Sequence, residues 1–315
     1  MTASSSWQPS ASLEALTERA SMLQKIRQFF FDRQVLEVET PLLSKAIGTD
    51  PHLEPIKTQE SQRFLQTSPE FAMKRLLASG SGDIYQICKA CRSGDLGKNH
   101  NPEFSLLEWY RLGITLDTLM DEVVELVKIF LPECEPVKLG YREAFEQTLG
   151  IDPFMVSIQE LKALSLSKIN ISDDNDYRDF WLDLLFTHLI EPELPEYCLL
   201  YNYPPSQAAL SKIENDKQGI PVARRFELII KGLEIANGYD ELTNVGELQF
   251  RFEQDQFTRG RLGLGINPCD ENFLQALKHG LPECCGVALG LDRLLMLHLG
   301  FESIDQVLAF DFNRA

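Results

Sequence analysis

The stretch of sequence that decides the fold is Gly286-Val287-Ala288-Leu289-Gly290-Leu291-Asp292-Arg293-Leu294. Its first six residues are apolar or glycine and favour a strand, which runs directly into a helix beginning at Asp292. Glycines at 286 and 290 would let a flat ligand approach the backbone closely, because they carry no side chain. Arg293 follows the strand at once, and its planar guanidinium suits phosphate oxygens.

A second arginine, Arg92, ends another predicted strand. Residues 83–92 and 104–112 favour strands, and the residues between them are polar and contain glycine. This pattern predicts an antiparallel hairpin with a long tip, and long tips inside compact domains are often functional. Phe104 on the return strand is compatible with two interpretations, a core side chain or a surface on which an aromatic base stacks.

Two carboxylates lie in residues 225–238, a stretch otherwise rich in strand-forming residues. Glu227 and Glu234 would be costly to bury unless a cation, a metal ion or hydrogen-bond donors compensated their charge. Their spacing places them on opposite faces of a regular strand, and a bulge at Gly232 would restore a common face. The pattern is compatible with a structural ion pair or an exposed edge, and also with Mg²⁺ shared between both carboxylates and phosphate groups.

The rest of the chain predicts helices around these strands. Residues 35–40 alternate between apolar and polar and favour a strand that Pro41 ends. Ser68 and Pro69 are typical of the N-cap and the first position of a helix. Strands and helices do not alternate as βαβ units, so we expect an α+β fold with a mainly antiparallel β-sheet flanked by helices. The further predicted helices cover residues 13–34, 115–131 and 178–190.

The composition is that of a soluble globular chain whose size allows one large domain or two smaller ones. Of its 315 residues, 44% are hydrophobic and 24% are charged. The 30 Lys and Arg against 47 Asp and Glu give a net charge of −17, so general binding to nucleic acids is not expected. No apolar run approaches the ~20 residues that cross a membrane, and the N-terminus lacks a signal pattern, so we expect a cytoplasmic protein.

The seven cysteines are an odd number, and we expect most of them to be free, reduced thiols. Cys88 and Cys91 have the spacing of half a zinc site, but the other half would need a second close pair, and the histidines are scattered. Ordinary packing within a strand is the alternative interpretation.

Three stretches, in the right order, resemble the signature motifs of class II aminoacyl-tRNA synthetases. Residues 31–41 resemble motif 1, residues 92–108 motif 2 and residues 286–294 motif 3. The resemblance implies a class II synthetase-like catalytic domain over residues 15–315, after an N-terminal segment of residues 1–14. It also implies a homodimer formed through motif 1. We expect motif 1 at about residues 20–41, motif 2 at about 83–112 and motif 3 at about 286–299.

Other stretches are similar to the lysyl branch of this class, among them Thr67-Ser68-Pro69-Glu70 and Asn237-Gly238-Tyr239-Asp240-Glu241-Leu242. Lysyl-tRNA synthetases carry an N-terminal anticodon-binding domain, for which we expect no room before motif 1. The sequence therefore resembles the lysyl-synthetase paralogues that modify elongation factor P, the elongation factor P (R)-beta-lysine ligase family. This resemblance implies that ATP and Mg²⁺ are used to activate (R)-beta-lysine, or weakly lysine, for transfer to a lysine side chain of elongation factor P.

The same resemblance implies roles for individual residues. Arg92 is expected on the α-phosphate of ATP and Arg293 on the γ-phosphate, as the catalytic residues, and Glu227 and Glu234 are the expected Mg²⁺ ligands. The expected ATP-binding residues are Arg92, Asn101, Phe104, Glu234, Ile235, Gly290 and Arg293. The expected substrate-binding residues are Ser68, Glu70, Glu108, Tyr110, Asn237, Glu241 and Ala288.

Two positions depart from the lysyl pattern. Ala288 stands where lysyl synthetases usually have Gly, and its methyl group would narrow the pocket in favour of an amine on the β-carbon. Gly94, followed by Asp95, stands where tRNA-charging members have Glu two residues after the motif 2 arginine. The contact made by that Glu is either replaced by Asp95 or absent.

Two other functions stay open at this point. A truncated lysyl-tRNA synthetase-like enzyme acting on tRNA needs basic surface, which the net charge of −17 disfavours, so tRNA is not an expected partner. A non-catalytic synthetase-like regulator would have no reason to keep Arg92, Glu227, Glu234 and Arg293 as buried charges.

Overall fold

The computed structural model describes residues 7–315 except residues 52, 60 and 61, so most of the predicted N-terminal segment 1–14 is covered but residues 1–6 lie outside the description. None of the helices in this described part has the length and apolar character needed to cross a membrane. The strands are β1 Leu36–Glu37, β2 Leu43–Ser44, β3 Phe64–Leu65, β4 Ile84–Cys91, β5 Glu103–Leu112, β6 Val137–Gly140, β7 Tyr197–Tyr203, β8 Ile213–Asn215, β9 Pro221–Ile230, β10 Leu233–Asp240 and β11 Cys284–Gly290. The α-helices are α1 Leu13–Asp32, α2 Glu70–Ala78, α3 Leu116–Lys128, α4 Tyr141–Leu149, α5 Ile158–Lys168, α6 Arg178–Leu185, α7 Val245–Arg261, α8 Glu271–Gly280 and α9 Leu291–His298.

The chain divides into two compact units, one formed by residues 1–133 with 241–315 and the other by residues 134–240. In the first unit β4 and β5 form the predicted antiparallel hairpin, and β11 pairs antiparallel with β5. The predicted strand over residues 35–40 is shorter, since only β1 pairs with β4, in parallel. Val38 still donates its N–H to Tyr85 O at 2.9 Å, and Pro41 has no N–H with which to continue.

Helix α1 covers one face of this hairpin through aromatic packing. Tyr85 and Trp109 lie opposite each other on β4 and β5, so their rings point to the same face of the sheet. Phe30 of α1 stacks on Tyr85 with ring centroids 4.3 Å apart and meets Trp109 edge-on at 5.4 Å. The Trp109 indole donates to Glu122 of α3 at 2.9 Å, which satisfies its buried N–H.

The second unit is built in the same way around its own strands. β7, β9 and β10 are antiparallel neighbours, β8 pairs antiparallel with β9, and β6 runs parallel to β7. Phe145, Trp181 and Leu182 from α4 and α6 pack with Leu200 of β7 in its core. The helix predicted over residues 178–190 is α6 followed by a π-helical turn. Together with the first unit, this confirms the prediction of a mainly antiparallel β-sheet flanked by helices.

The start of α2 differs from the prediction by one residue. The helix begins at Glu70, and Pro69 rather than Ser68 is at the N-cap position. The Ser68 hydroxyl accepts from the Glu70 N–H at 3.0 Å and also donates to Glu108 at 2.8 Å. The serine therefore still satisfies a helix N–H as predicted, but its proton is directed at a buried carboxylate.

All seven cysteines are free thiols. Residues 7–315, without the three undescribed positions, contain no cluster of three or more His, Cys, Asp or Glu side chains that could hold a metal ion. Cys91 is buried and Cys88 is half-buried on β4, and burial raises the pKa of both thiols. The interpretation as ordinary strand packing therefore fits better than the half zinc site.

A buried ion pair ties the motif 1 helix to the motif 3 helix. Arg19 of α1 pairs with Asp292 of α9, whose side chain is 2% exposed. Asp292 also accepts from the Ser105 N–H of β5 at 2.7 Å, and Arg19 donates to Val307 O at 2.9 Å. One carboxylate thus connects a strand and two helices that are far apart in the sequence.

Replacing Asp292 with Ala should destabilise the protein by about 3 kcal/mol or more, because Arg19 and the Ser105 N–H both lose a buried partner. The free energy of unfolding from urea denaturation measures this effect. Glu302→Gln is the matched control, since Glu302 forms an exposed, 3.9 Å pair with Lys98 and should change stability little. Equal stabilities of the Asp292→Ala and Glu302→Gln variants would contradict the structural role of Asp292.

Candidate active site

The predicted substrate residues of motifs 2 and 3 share one face of the first unit's sheet. Side chains alternate along a strand, so Phe104, Glu108 and Tyr110 of β5 point away from the face that carries Trp109. On β11, Ala288 lies opposite Glu108 and Gly286 lies opposite Tyr110. The strand register therefore brings these residues together on one face of the sheet. In the sequence, the residues of β5 and those of β11 are more than a hundred positions apart.

Glu108 is the central carboxylate of this face, with only 2% of its surface exposed. Ser68 donates to its Oε2 at 2.8 Å and the Tyr110 hydroxyl donates to its Oε1 at 2.7 Å. Burial, together with the nearby Glu70, raises the pKa of Glu108 to about 7. Two hydroxyl groups hold the carboxylate in place, and its ionisation falls within the physiological pH range.

Lys74 is a residue of this site that the sequence analysis did not assign. It is 1% exposed, and its Nζ lies 2.6 Å from Glu70 Oε1 and 2.5 Å from Glu241 Oε2. Burial lowers the pKa of Lys74, but the two carboxylates outweigh it and raise the pKa well above its ordinary value. Glu70 and Glu241, the expected ligands of substrate amines, are thus already bridged by a cation of the protein. The spacing of Glu70 and Lys74, four residues apart on a predicted helix, is the signal that could have indicated the pair.

Gly286 makes this arrangement of side chains possible. A β-carbon at this position would overlap the Tyr110 ring and Glu241 Oε1. The glycine therefore admits two side chains of the protein, a reason that differs from the predicted close approach of a flat ligand. Gly290, the other glycine of the strand, ends β11 and is the N-cap residue of α9.

The two predicted phosphate-binding arginines both lie in the first unit. The Arg92 guanidinium lies over the Phe104 ring, 4.9 Å from its centroid, and its buried Nε has no hydrogen-bond partner in the described part of the chain. Arg293 donates through Nε to Asn99 O at 3.3 Å and lies 2.6 Å from His100 Nε2. The other arginines with a buried nitrogen that lacks a hydrogen bond all pair with a carboxylate, namely Arg111, Arg142, Arg224 and Arg225. Arg92 pairs with none in the described part of the chain, so its remaining donor suits an anionic ligand.

At the tip of the hairpin lie Asn101, an expected ATP-binding residue, and Gly94, which departs from the lysyl pattern. Asn101 is 6% exposed, and its side chain is used by the backbone, since it accepts from the Phe312 N–H and donates to Glu103 O. Gly94 has a positive φ of 84°, a conformation that strains any residue with a β-carbon. The backbone at Gly94 therefore disfavours the Glu found there in tRNA-charging synthetases. Asp95 follows in a half-buried position.

The predicted Mg²⁺ ligands lie in the second unit, on neighbouring strands. β9 and β10 form a hairpin whose turn residues Lys231 and Gly232 both have positive φ. The predicted bulge at Gly232 is wrong, because the irregularity lies between Glu234 and Ala236. The two carboxylates share a face for a different reason, because they lie on two paired strands rather than on one. Glu234 pairs with Ile229, which is two residues from Glu227 on β9, before the irregularity begins.

Glu227 has a partner that the sequence analysis missed, because Arg225 forms an ion pair with it. Burial and the neighbouring Glu234 raise the pKa of Glu227 to about 7, although Arg225 opposes the shift. Asn237 lies opposite Glu227, and its buried Oδ1 has no hydrogen-bond partner among the residues described. Ile235 in the bulge is 1% exposed, which leaves its backbone as the part able to meet a ligand. Two repelling carboxylates fit a hard cation that takes its other ligands from phosphate and water.

Comparison with known proteins agrees with these features. The family model of class II tRNA synthetases (D, K and N) matches residues 6–314. Curated proteins named elongation factor P–(R)-beta-lysine ligase, from Salmonella paratyphi B, Salmonella schwarzengrund and Salmonella heidelberg, are each 46% identical over 328 aligned residues. These alignments cover 100% of this chain and 100% of each relative. The chain therefore belongs to the class II tRNA synthetases, and among them to the elongation factor P–(R)-beta-lysine ligase family.

Proposed function

We propose that this protein activates (R)-beta-lysine with ATP as an aminoacyl-adenylate and transfers it to a lysine side chain of elongation factor P. Substrate and acceptor come from the names of the relatives, which are identical at 46% of aligned positions over the whole chain. The observation on this chain that carries the proposal is the buried Glu108 with Ser68 and Tyr110 on its two oxygens. Such a group suits the ammonium of a diamino acid, because a buried ammonium needs a carboxylate partner.

The first step joins substrate and nucleotide. A carboxylate oxygen of beta-lysine attacks the α-phosphorus of ATP, the bond to pyrophosphate breaks, and the adenylate forms. Arg92 binds the α-phosphate and Arg293 the γ-phosphate, so catalysis rests on positioning and charge neutralisation rather than on a protein nucleophile. Glu227 and Glu234 would hold Mg²⁺, which supplies further neutralisation of phosphate charge when bound. Asn101, Phe104, Ile235 and Gly290 complete the proposed ATP-binding set.

The second step forms the isopeptide bond. The uncharged ε-amine of the acceptor lysine attacks the carbonyl carbon of the adenylate, the amine loses a proton, and AMP leaves. The carboxylates of Glu70, Glu108 and Glu241 take no part in this bond change, since their role is to bind and orient the amines of beta-lysine. We propose Glu108, Tyr110 and Glu241 for the distal ammonium and Ser68 and Glu70 for the other amine.

Lys74 affects which of these carboxylates is available to pair with an ammonium of the substrate. Because Lys74 already pairs with Glu70 and Glu241, Glu108 is the carboxylate of the three that has only hydroxyl partners among the described residues, which leaves it for an incoming ammonium. Ala288, opposite Glu108, adds a methyl group beside this carboxylate. We propose that it favours an amine on the β-carbon, and Asn237 completes the proposed substrate set. The ratio of beta-lysine to lysine activation in an Ala288→Gly variant measures that preference.

We further propose a homodimer through motif 1 and a cytoplasmic location, with residues 15–315 acting as one catalytic domain. Phe31 is 76% exposed and Leu36 is 55% exposed beside the end of α1, which supports an interface there. Sedimentation equilibrium tests this oligomeric state. The alternative of a tRNA-charging enzyme is disfavoured by the net charge of −17, and that of a non-catalytic regulator by the buried charges of Lys74, Glu108 and Glu241. Of the charges expected to be buried, Glu234 is exposed, and Arg92, Glu227 and Arg293 are half-buried.

The acceptor is tested by mass. The protein is incubated with ATP, Mg²⁺ and (R)-beta-lysine, and with either unmodified elongation factor P or tRNA, and both acceptors are analysed by mass spectrometry. We expect the factor to gain one beta-lysine less one water and tRNA to stay unchanged. Aminoacylated tRNA together with an unmodified factor would contradict the proposal.

Replacing Gly286 with Ala should lower kcat/KM for beta-lysine by on the order of 100-fold, because Tyr110 and Glu241 must move to admit the methyl group. ATP–pyrophosphate exchange measures this value. Gly260→Ala is the matched control, since Gly260 is helical and a β-carbon there would meet no atom within 4 Å. If the two variants had the same kcat/KM, the proposed substrate pocket would be wrong.

The affinity for beta-lysine should rise as the pH increases through about 7. The pKa of Glu108 is raised to about 7, so the carboxylate is mostly protonated below this pH and ionised above it, and only the ionised form attracts an ammonium. The pH dependence of kcat/KM for beta-lysine measures the effect. Glu108→Gln should lower kcat/KM and weaken this dependence, to which Glu227, with a pKa also raised to about 7, still contributes. An unchanged pH profile in that variant would exclude Glu108 as a source.

A further inference from the structure

Arg259 of α7 is fully buried, with 0% of its side chain exposed, and it has no role in the proposed reaction. Its guanidinium donates to Gly265 O at 2.8 Å, Asp50 O at 3.2 Å and Leu53 O at 3.4 Å. It also pairs with Glu54 Oε2 at 2.8 Å. All three nitrogens of the guanidinium are therefore used, mostly by backbone carbonyls.

The segment that Arg259 holds contains no helix or strand of its own. Residues 49–54, of which residue 52 is not described, follow β2 as irregular chain. A second hydrogen bond connects this segment to α7, since the Thr49 hydroxyl donates to Asp255 at 2.7 Å. Because such a segment has few hydrogen bonds of its own, its position depends on these contacts from the helix.

This segment is hydrogen-bonded in turn to the backbone next to Arg92. Glu54 O accepts from the Ser93 N–H at 2.8 Å, and the Arg92 N–H donates to Pro102 O at 2.9 Å. Arg92 thus follows the last regular pair of β4 with β5, Cys91 with Glu103. The next residue, Ser93, is hydrogen-bonded to Glu54, which lies outside this sheet. The Glu54 carbonyl fixes the outer side of the chain at this point.

We propose that Arg259 is a positioning residue for ATP binding, which holds Asp50, Leu53 and Glu54 so that Glu54 O fixes the backbone at Ser93 and directs Arg92 toward phosphate. The role rests on the proposed function, because it assumes that Arg92 binds ATP. The residue acts through the backbone chain Arg259, Glu54, Ser93 and contacts neither substrate itself.

Only arginine suits this position. A guanidinium offers five N–H donors in a fixed plane, whereas a lysine ammonium offers three donors at one point and cannot reach all four acceptors at once. Its burial also requires a charged partner, which Glu54 supplies. Arg259→Lys therefore keeps the positive charge but loses some of the hydrogen bonds of the guanidinium. Arg259→Gln loses the charge as well as these hydrogen bonds.

The test compares Arg259→Lys and Arg259→Gln with the wild-type protein by calorimetric titration with ATP and by ATP–pyrophosphate exchange. We expect the Kd and KM for ATP to rise by about 10- to 100-fold in Arg259→Gln and by less in Arg259→Lys, since small displacements of a binding group have effects of this order. The KM for beta-lysine should stay unchanged, because Glu108 and Tyr110 lie on β5, which residues 49–54 do not hold.

Arg251→Gln is the matched control, since Arg251 lies on the same helix and pairs with Glu247 one turn earlier. It should leave both KM values unchanged. An unchanged ATP affinity in a folded Arg259→Gln variant would overturn the proposal, and so would a parallel rise of both KM values, which indicates general loosening. If Arg259→Gln does not fold, Arg259→Lys decides by the same criteria. Absence of exchange in the wild-type protein would contradict the proposed function instead, and ATP titration would still test Arg259.

Discussion

The burial of several carboxylates on one face of the sheet is the constraint on which the candidate site depends. Glu108 and Glu241 are both almost completely buried, and such charges are stable only with partners. Lys74 supplies a cation to Glu70 and Glu241, and two hydroxyl groups hold Glu108. Gly286 gives the space that this packing needs. The fold thus holds these charged groups in place through contacts within the protein, which is the preorganisation that the proposed recognition of an ammonium requires.

Some arginines in this protein bind groups of the protein itself, and others keep donors that could bind a ligand. Arg19 pairs with the buried Asp292, Arg259 donates to backbone carbonyls and to Glu54, and Arg225 neutralises Glu227. Arg92 differs from them, because among the described residues its buried Nε has no partner and no carboxylate pairs with its guanidinium. A guanidinium held by an aromatic ring and a fixed backbone, with a donor remaining, is a group prepared for an anion. Arg259, in the proposed role, holds the residues that fix the backbone next to Arg92.

The helices, the hairpin and the antiparallel pairing were predictable because each depends on local pattern. The spacing in residues 13–34 and the polar tip after Arg92 are visible in sequence, and α1 and the β4–β5 hairpin follow them. The strand at residues 35–40 and the cap of α2 were less accurate, since their limits depend on hydrogen bonds to Asp83, Tyr85 and Glu108. Those partners lie far along the chain, and local pattern does not contain them.

The sequence by itself determined the class of the protein and which charged residues are candidates, because motif order and residue chemistry are written in the chain. Only the tertiary structure decided how those charges are shared. The pairing of β9 with β10 placed Glu227 and Glu234 on one face of a hairpin, and helix packing brought Lys74 between Glu70 and Glu241. The physical reason is that the energy of a buried charge depends on its distance to other charges and on exclusion of water, and both are properties of the folded chain.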